Sequence, residues 1–237
     1  MLKYELELTL PLDGFDEHGN LLPGEVLRLF ERMAGQHAEV LGVGFEAMLK
    51  RNLLWVVTAI RYQLCGELRS GQKVRGITWP LPQTKVGFVR EYLICSEDGE
   101  VLIKGTSNWA TIYADTRQLA IASEIYPQGE FCSDRNFADR TRRIRDFEAD
   151  GEERVIRPDA SAIDVNGHVN NTRYADFAYR ALGGFGGRID TFQIDYLREV
   201  LCGEELRLKT AKTETLCLVK GLAHGEERMF TCSVTLK

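Results

Sequence analysis

No apolar run in the 237 residues approaches the length of a membrane-spanning helix, about 20 residues. None of the six cysteines (Cys65, Cys95, Cys132, Cys202, Cys217, Cys232) sits in a CxxC pair. That removes the common zinc and dithiol signatures and leaves the thiols as reduced, mostly core filler, in a cytoplasmic protein. Basic residues are not in excess: the net charge of −5 argues against a general nucleic-acid binder. The start, Met1-Leu2-Lys3-Tyr4-Glu5-Leu6-Glu7, alternates like a strand and has none of the make-up of a signal peptide. There is no GxSxG elbow, since Gly105-Thr106-Ser107-Asn108 lacks the closing glycine, so a serine hydrolase of that type is not expected. No metal or cofactor is expected either: no second His or Cys stands at ligand spacing from His168, and amides are poor ligands for transition metals.

What is present suits a folded protein with a sizeable core. Hydrophobic residues make up 44% of the chain, and its length fits one large domain or two small ones. Residues 3–12 alternate as a strand. A helix follows Pro23-Gly24, with Leu27, Phe30, Ala34, Ala38 and Leu41 as its apolar stripe and Gly42 and Gly44 as its stop. A short helix over 45–51 and strands over 54–64, 73–80, 85–95 and 101–113 come next, read as a four-strand antiparallel meander. Val56, Thr58, Ile60, Tyr62 and Leu64 fall on one face of the first of these strands. Residues 114 to about 153 read as a connector crowded with Arg135, Arg140, Arg142, Arg143 and Arg145. That run is either a solvated linker or a contact for an acidic partner.

After the connector the pattern repeats: a short strand over 153–157, a polar loop and helix, then strands over 190–200, 206–213, 215–223 and 228–236. Ile60-Arg61-Tyr62 matches Ile194-Asp195-Tyr196, Gly71 matches Gly203, and the turn at Gly99 matches that at Gly225. This is an internal duplication too long in period for a solenoid. It predicts an α+β fold in which two antiparallel sheets each wrap one long helix. The expected division is 1–125, a connector 126–150, and 151–237. Two copies can pair as a dimer would, and a homodimer stays an open alternative.

The chemistry gathers in the second copy. Asp164-Val165-Asn166-Gly167-His168-Val169-Asn170-Asn171 is a polar loop leading into a helix whose stripe is Tyr174, Phe177, Ala178, Ala181 and Leu182. Asn170 or Asn171 supplies the cap and Gly183-Gly184 the stop. A helix start carries free N–H groups and positive potential, so backbone donors near Val169 to Asn171 are candidates for an oxyanion site. The first copy has Asp16-Glu17-His18-Gly19-Asn20 in place of Asp164 to His168 and lacks the Asn-Asn pair. That difference, read together with a difference in spacing, points to one active site per chain.

The run Asp164-x-Asn166-x-His168-x-Asn170-Asn171-x-x-Tyr174 resembles the active-site motif of the acyl-acyl carrier protein thioesterases, whose fold is the tandem hotdog. The likeness extends through Trp55, the strand Gly105 to Trp109, Asp115-x-Arg117, and residues 190–199. It implies hydrolysis of fatty acyl thioesters on the carrier protein in fatty acid biosynthesis, with Asp164, Asn166 and His168 catalytic and Glu199 a further active-site carboxylate. Asn170, Asn171 and Tyr174 are then substrate-binding. Where plant members carry Cys after that Glu, this chain has Val200. Water is therefore the preferred nucleophile, with Glu199 or His168 as base and Asp164 and Asn166 orienting the imidazole and the carbonyl. The alternative for His168 is a loop histidine without chemistry. Val56, Ile60, Tyr62, Phe88, Phe30 and Met33 are candidates for either acyl-chain wall or plain core. A non-catalytic acyl-thioester-binding hotdog and an acyl-CoA thioesterase are the competing functions.

Overall fold

The computed structural model describes residues 3–84, 87–121, 125–127 and 129–237. The chain falls into two compact units, residues 1–11 with 28–141 and residues 12–27 with 142–237. The expected strand start at Lys85 and Val86 lies outside the described residues. No helix is long and apolar enough to cross a membrane among the described residues.

The first unit holds β1 (Tyr4–Thr9), α1 (Pro23–Val40) from Arg28 onward, α2 (Phe45–Lys50), β2 (Leu53–Leu64), β3 (Lys73–Pro80), β4 (Phe88–Cys95) and β5 (Val101–Tyr113). The strands run antiparallel in the order β1-β3-β4-β5-β2. The expected meander is therefore correct only for β3-β4-β5. Strand β2, 12 residues long, pairs with the 13-residue β5 along nearly its whole length, and β1 takes the free edge of β3. Alternation along β2 is also broken. A bulge at Thr58 shifts the register, so Val57 is buried before it and Ile60, Tyr62 and Leu64 after it, while Val56 is not.

Helix α1 buries Leu27, Phe30 and Ala34 as its spacing predicts, together with Val26, Met33 and His37. Phe30 stacks on Tyr92 at 4.3 Å between ring centres and meets Tyr62 edge-on at 6.3 Å. The sheet admits that ring because residue 105 is glycine: a Cβ there would lie 2.4 Å from the Phe30 ring. Phe30, Met33 and Tyr62 are thus tightly packed core. Phe88 belongs to a separate cluster with Val43, Met48, Leu53, Ala120 and Ile125, flanked by Trp55 and Trp109.

The apolar run of β4 is interrupted by two buried charges on opposite faces. Arg90 reaches His37 Nδ1 at 3.0 Å on the helix side. Burial and the adjacent guanidinium push His37 down from 6.5 to about 4. Glu91 accepts from Thr106 Oγ1 at 3.1 Å and from the Asn136 N–H at 3.1 Å, and burial raises its pKa. Asn136 in turn donates to the carbonyls of Tyr92 and Gly105 at 2.8 and 2.9 Å. The connector is therefore strapped to the sheet here, although it contains neither a helix nor a multi-residue strand among its described residues.

The second unit repeats the scheme. It contains β6 (Arg154–Ile156), a single 3-10 turn (Ala160–Ala162), α3 (Asn171–Ala181), β7 (Ile189–Tyr196), β8 (Leu206–Lys212), β9 (Leu216–Ala223) and β10 (Glu227–Leu236). The antiparallel order is β7-β10-β9-β8-β6. Buried Asp195 plays the part of Glu91: it accepts from the Ile144 N–H at 2.6 Å, and Gln193 beside it donates to the Arg142 carbonyl at 2.7 Å. Helix α3 buries Tyr174, Ala175, Ala178 and Ala181, with Tyr174 edge-on to Phe230 at 5.2 Å. It has 11 residues against 18 in α1, so only the first helix is long. Each unit thus lays an antiparallel sheet on a helix, the α+β tandem hotdog. All six cysteines are unpaired thiols.

Candidate active site

The loop before α3 is a self-bonded turn. The Asp164 N–H donates to the His168 carbonyl at 2.9 Å, the Gly167 N–H to the Asp164 carbonyl at 3.0 Å, and the Asn166 N–H to Asp164 Oδ1 at 2.8 Å. Gly167 takes φ +82°, a value that strains any side chain, and an Ile163–Val169 bridge closes the base. The loop of the first copy is built the same way. Asp16 N–H donates to the Asn20 carbonyl at 3.0 Å, Gly19 N–H to the Asp16 carbonyl at 3.0 Å, and His18 N–H to Asp16 Oδ1 at 2.9 Å. Gly19 sits at φ +73°, and a Phe15–Leu21 bridge closes it. The expected difference in loop spacing is thus absent: the two turns are one backbone motif, and the difference is confined to side chains. Where the second copy has His168, the first has Asn20, 3% exposed and spent on the Gly187 carbonyl and the Ile189 N–H, both at 2.8 Å. The residue that changes between the copies, from a buried amide to an imidazole beside a carboxylate, is the last of the turn.

Glu199 reaches His168 by a route that the sequence did not indicate. The reading of one strand over 190–200 is too long. Strand β7 ends at Tyr196, after which the N–H groups of Leu197 and Arg198 both turn to the Met229 carbonyl. The chain then leaves the sheet and lies along the active loop, with a His168–Leu201 bridge and the Val169 N–H donating to the Val200 carbonyl at 2.9 Å. Glu199 lies two residues from the partner of His168, hence on the same side of the pair. Its Oε2 is 3.0 Å from His168 Nε2. His168 is largely sheltered, with 21% of its side chain exposed against 47% for Glu199. Val200 is fully buried, and Cys202 alternates away and is exposed.

Asn170, Asn171 and Tyr174 each hydrogen-bond to the framework around this pair. Asn170 is the N-cap: its Oδ1 accepts from the Thr172 N–H at 2.9 Å and from Thr172 Oγ1 at 2.6 Å. The Asn171 carbonyl accepts from Tyr196 Oη at 2.9 Å. Tyr174 is 2% exposed and accepts the Val200 N–H on its hydroxyl at 3.2 Å, and burial raises its pKa. Tyr174 and Tyr196 therefore pin the Glu199 segment and the helix start together. Of the expected oxyanion donors, Val169 and Asn170 N–H groups are already spent, the second on the Ala162 carbonyl at 2.8 Å. Asn171 N–H has no acceptor among the described residues, and Asn166 stands exposed at the loop tip. No His/Cys/Asp/Glu group that could hold a metal is found among the described residues.

Comparison with known proteins matches residues 1–128 to the acyl-ACP thioesterase N-terminal domain and residues 147–235 to the C-terminal domain of the same enzymes. Among curated proteins, a chloroplastic palmitoyl-acyl carrier protein thioesterase of Gossypium hirsutum is 34% identical over 148 residues, 58% of this chain and 36% of the relative. Its namesake in Arabidopsis thaliana is 31% identical over 202 residues, 78% of this chain and 48% of the relative. The chain spans less than half the length of these relatives. Among solved structures, an acyl-ACP thioesterase from Bacteroides thetaiotaomicron superposes with a TM-score of 0.82 at 22% identity, covering 99% of this chain and 98% of the other. The 12:0-ACP thioesterase of Umbellularia californica gives 0.83 at 19% identity, covering 99% and 97%.

Proposed function

Since the chain belongs to the acyl-ACP thioesterase family, we propose that it hydrolyses fatty acyl thioesters of acyl carrier protein to free fatty acid and the carrier thiol. The observation that carries the mechanism is the 3.0 Å contact between His168 Nε2 and Glu199 Oε2. An ionised carboxylate only accepts hydrogen bonds, so in neutral His168 the proton sits on Nε2 and the lone pair on Nδ1. Nδ1 has no partner among the described residues and takes a proton from water. Glu199 holds the tautomer and stabilises the imidazolium that forms, as the carboxylate does in a hydrolase triad. The hydroxide adds to the thioester carbonyl. Asn166 and the Asn171 N–H are the donors left for the oxyanion. Collapse of the tetrahedral intermediate breaks the C–S bond, and the imidazolium returns its proton to the leaving sulfur. No cofactor takes part.

Asp164 has a humbler role in this scheme. Its carboxylate makes the same turn that Asp16 makes in the copy with Asn20 in place of His168, so it shapes the loop and leaves the chemistry to His168. The test is steady-state hydrolysis of acyl carrier protein and of acyl-CoA with the same chain. His168→Ala lowers kcat by about a hundredfold or more, as loss of a general base does. Glu199→Gln, which keeps the shape without the charge, also lowers it, and Cys202→Ala leaves it unchanged. Full activity in His168→Ala, or a dead Cys202→Ala, refutes the mechanism.

A further inference from the structure

A groove of about 660 Å³ opens in the second unit between edge strand β6, the 3-10 turn and the outer face of α3. Residues 173, 176, 177, 180 and 181 of the helix line it at helical spacing. Its floor includes Ala162, Phe177, Ala181 and Leu208, while four arginines rim it against two carboxylates, in a chain that is acidic as a whole. The carboxylates are spent: Asp159 on the N–H and hydroxyl of Ser161 at 2.8 and 2.6 Å, Asp176 on Arg173 at 3.5 Å. Arg157 pairs with Glu205 at 2.6 Å. Arg154 gives its Nη1 to the Arg180 carbonyl at 2.9 Å, and neither Arg154 nor Arg180 faces a carboxylate among the described residues.

The wall of this groove is also bonded to the site. The Ala162 carbonyl accepts from Asn170 N–H at 2.8 Å, two residues after His168, and the Pro158 carbonyl accepts from Gly203 N–H at 2.7 Å, four residues after Glu199. A protein seated in the groove is therefore held beside the catalytic pair. Val155, 52% exposed on the edge strand, adds an apolar contact to the charged rim.

We propose that the β6–α3 groove is the docking surface for an acidic, apolar-ridged helix of the carrier protein, with Arg154 and Arg180 as its charge readers. The proposal rests on the thioesterase reading above. This chain carries a net charge of −5, so a partner that is also acidic needs a local cationic face for productive encounter, and mutating such a rim charge acts on association and its salt dependence.

Three substrates with one acyl chain separate the possibilities: acyl carrier protein, acyl-CoA and acyl-N-acetylcysteamine. Arg180→Glu is the main variant, because the Arg180 side chain makes no hydrogen bond among the described residues, Arg154 bonding to the Arg180 carbonyl instead. Arg154→Gln/Arg180→Glu is the second. Both raise KM for acyl carrier protein by about tenfold or more, flatten its salt dependence, and leave its kcat and both small-thioester rates unchanged. An unchanged carrier-protein KM overturns the proposal. So does an equal loss on all three substrates, which marks a folding defect, or a loss shared by acyl-CoA alone, which marks a phosphate site. Arg140→Glu/Arg143→Glu in the connector is the control, and a KM rise there in place of the groove variants also overturns it. Binding of fluorescently labelled carrier protein is measured in parallel by anisotropy. If the wild type turns over none of the three substrates, the enzyme reading fails, and a loss of anisotropy binding in Arg180→Glu still decides the groove.

Discussion

His37 makes a sharp prediction about acid stability. The ring lies fully buried on α1, stacked on Tyr4 at 5.3 Å and 3.0 Å from the Arg90 guanidinium. Its pKa falls from 6.5 to about 4, first because burial disfavours the cation and then because Arg90 repels it. In the unfolded chain it titrates near its ordinary value, so between those pH values the unfolded state binds more protons. Stability then rises with pH across the window and is lost as pH falls through it. A shift from 6.5 to about 4 is worth about 3 kcal/mol in full, and about 2 kcal/mol of that is lost by pH 5. The perturbation is His37→Gln, whose amide oxygen can still accept from Arg90 but does not titrate. Urea unfolding of both proteins at half-unit steps from pH 7.5 to 4.5 gives two stability curves. Glu91 and Asp195, both raised by burial, contribute in the opposite sense and cancel in the difference. The variant is expected to be the less stable at pH 7, through lost stacking, and to gain on the wild type by about 2 kcal/mol by pH 5. A difference that stays constant over the whole range refutes the reasoning.

Four further outcomes test the framework. Asp164→Asn keeps the oxygen that accepts Asn166 N–H, so kcat stays within about threefold of wild type; a hundredfold loss in the thioester assay would restore a charge role for Asp164. Tyr174→Phe leaves the buried Val200 N–H without its acceptor. It is expected to cost about 1–3 kcal/mol in chemical denaturation, and to lower kcat through Glu199; an unchanged kcat would show that this hydrogen bond does not hold the dyad. Asn170→Ala removes the α3 cap and lowers stability by about 1 kcal/mol, read from the urea midpoint at constant m. Gly105→Ala drives a methyl into the Phe30 ring and costs about 1–3 kcal/mol, with a thermal midpoint equal to wild type as the opposing result.

The elements carried by strong periodicity were legible before folding. The stripe Leu27, Phe30 and Ala34 buries as spaced, and strands 73–80 and 101–113 have the bounds that their apolar runs predict. The helix after Asn170 and its cap followed from residue types whose preference is local. Strand partners did not follow, because adjacency in sequence favours β2 with β3, whereas the two long strands β2 and β5 match in length and pair. The Arg-Glu pair inside the apolar run of β4 was a visible signal of buried polar partners, but who they are depends on α1 and the connector.

Within the motif at 164–174, the Asp164 and Asn170 side chains are bonded inside the loop and the helix cap, whereas His168 meets Glu199. Sequence alone determined that a histidine stands at the end of a tight turn before a capped helix, because turn, glycine and cap are all local chemistry. Only the tertiary structure decided which groups meet it. Asp164 and Asn170 turn inward on their own backbone, and Tyr174 is buried under Phe230. Glu199 arrives only because β7 ends three residues earlier and the chain crosses to bridge the loop. The first copy's identical turn with Asn20 in place of His168 shows the same division. A local sequence fixes a backbone, but whether its last side chain is spent on packing or left beside a carboxylate depends on what distant chain folds against it.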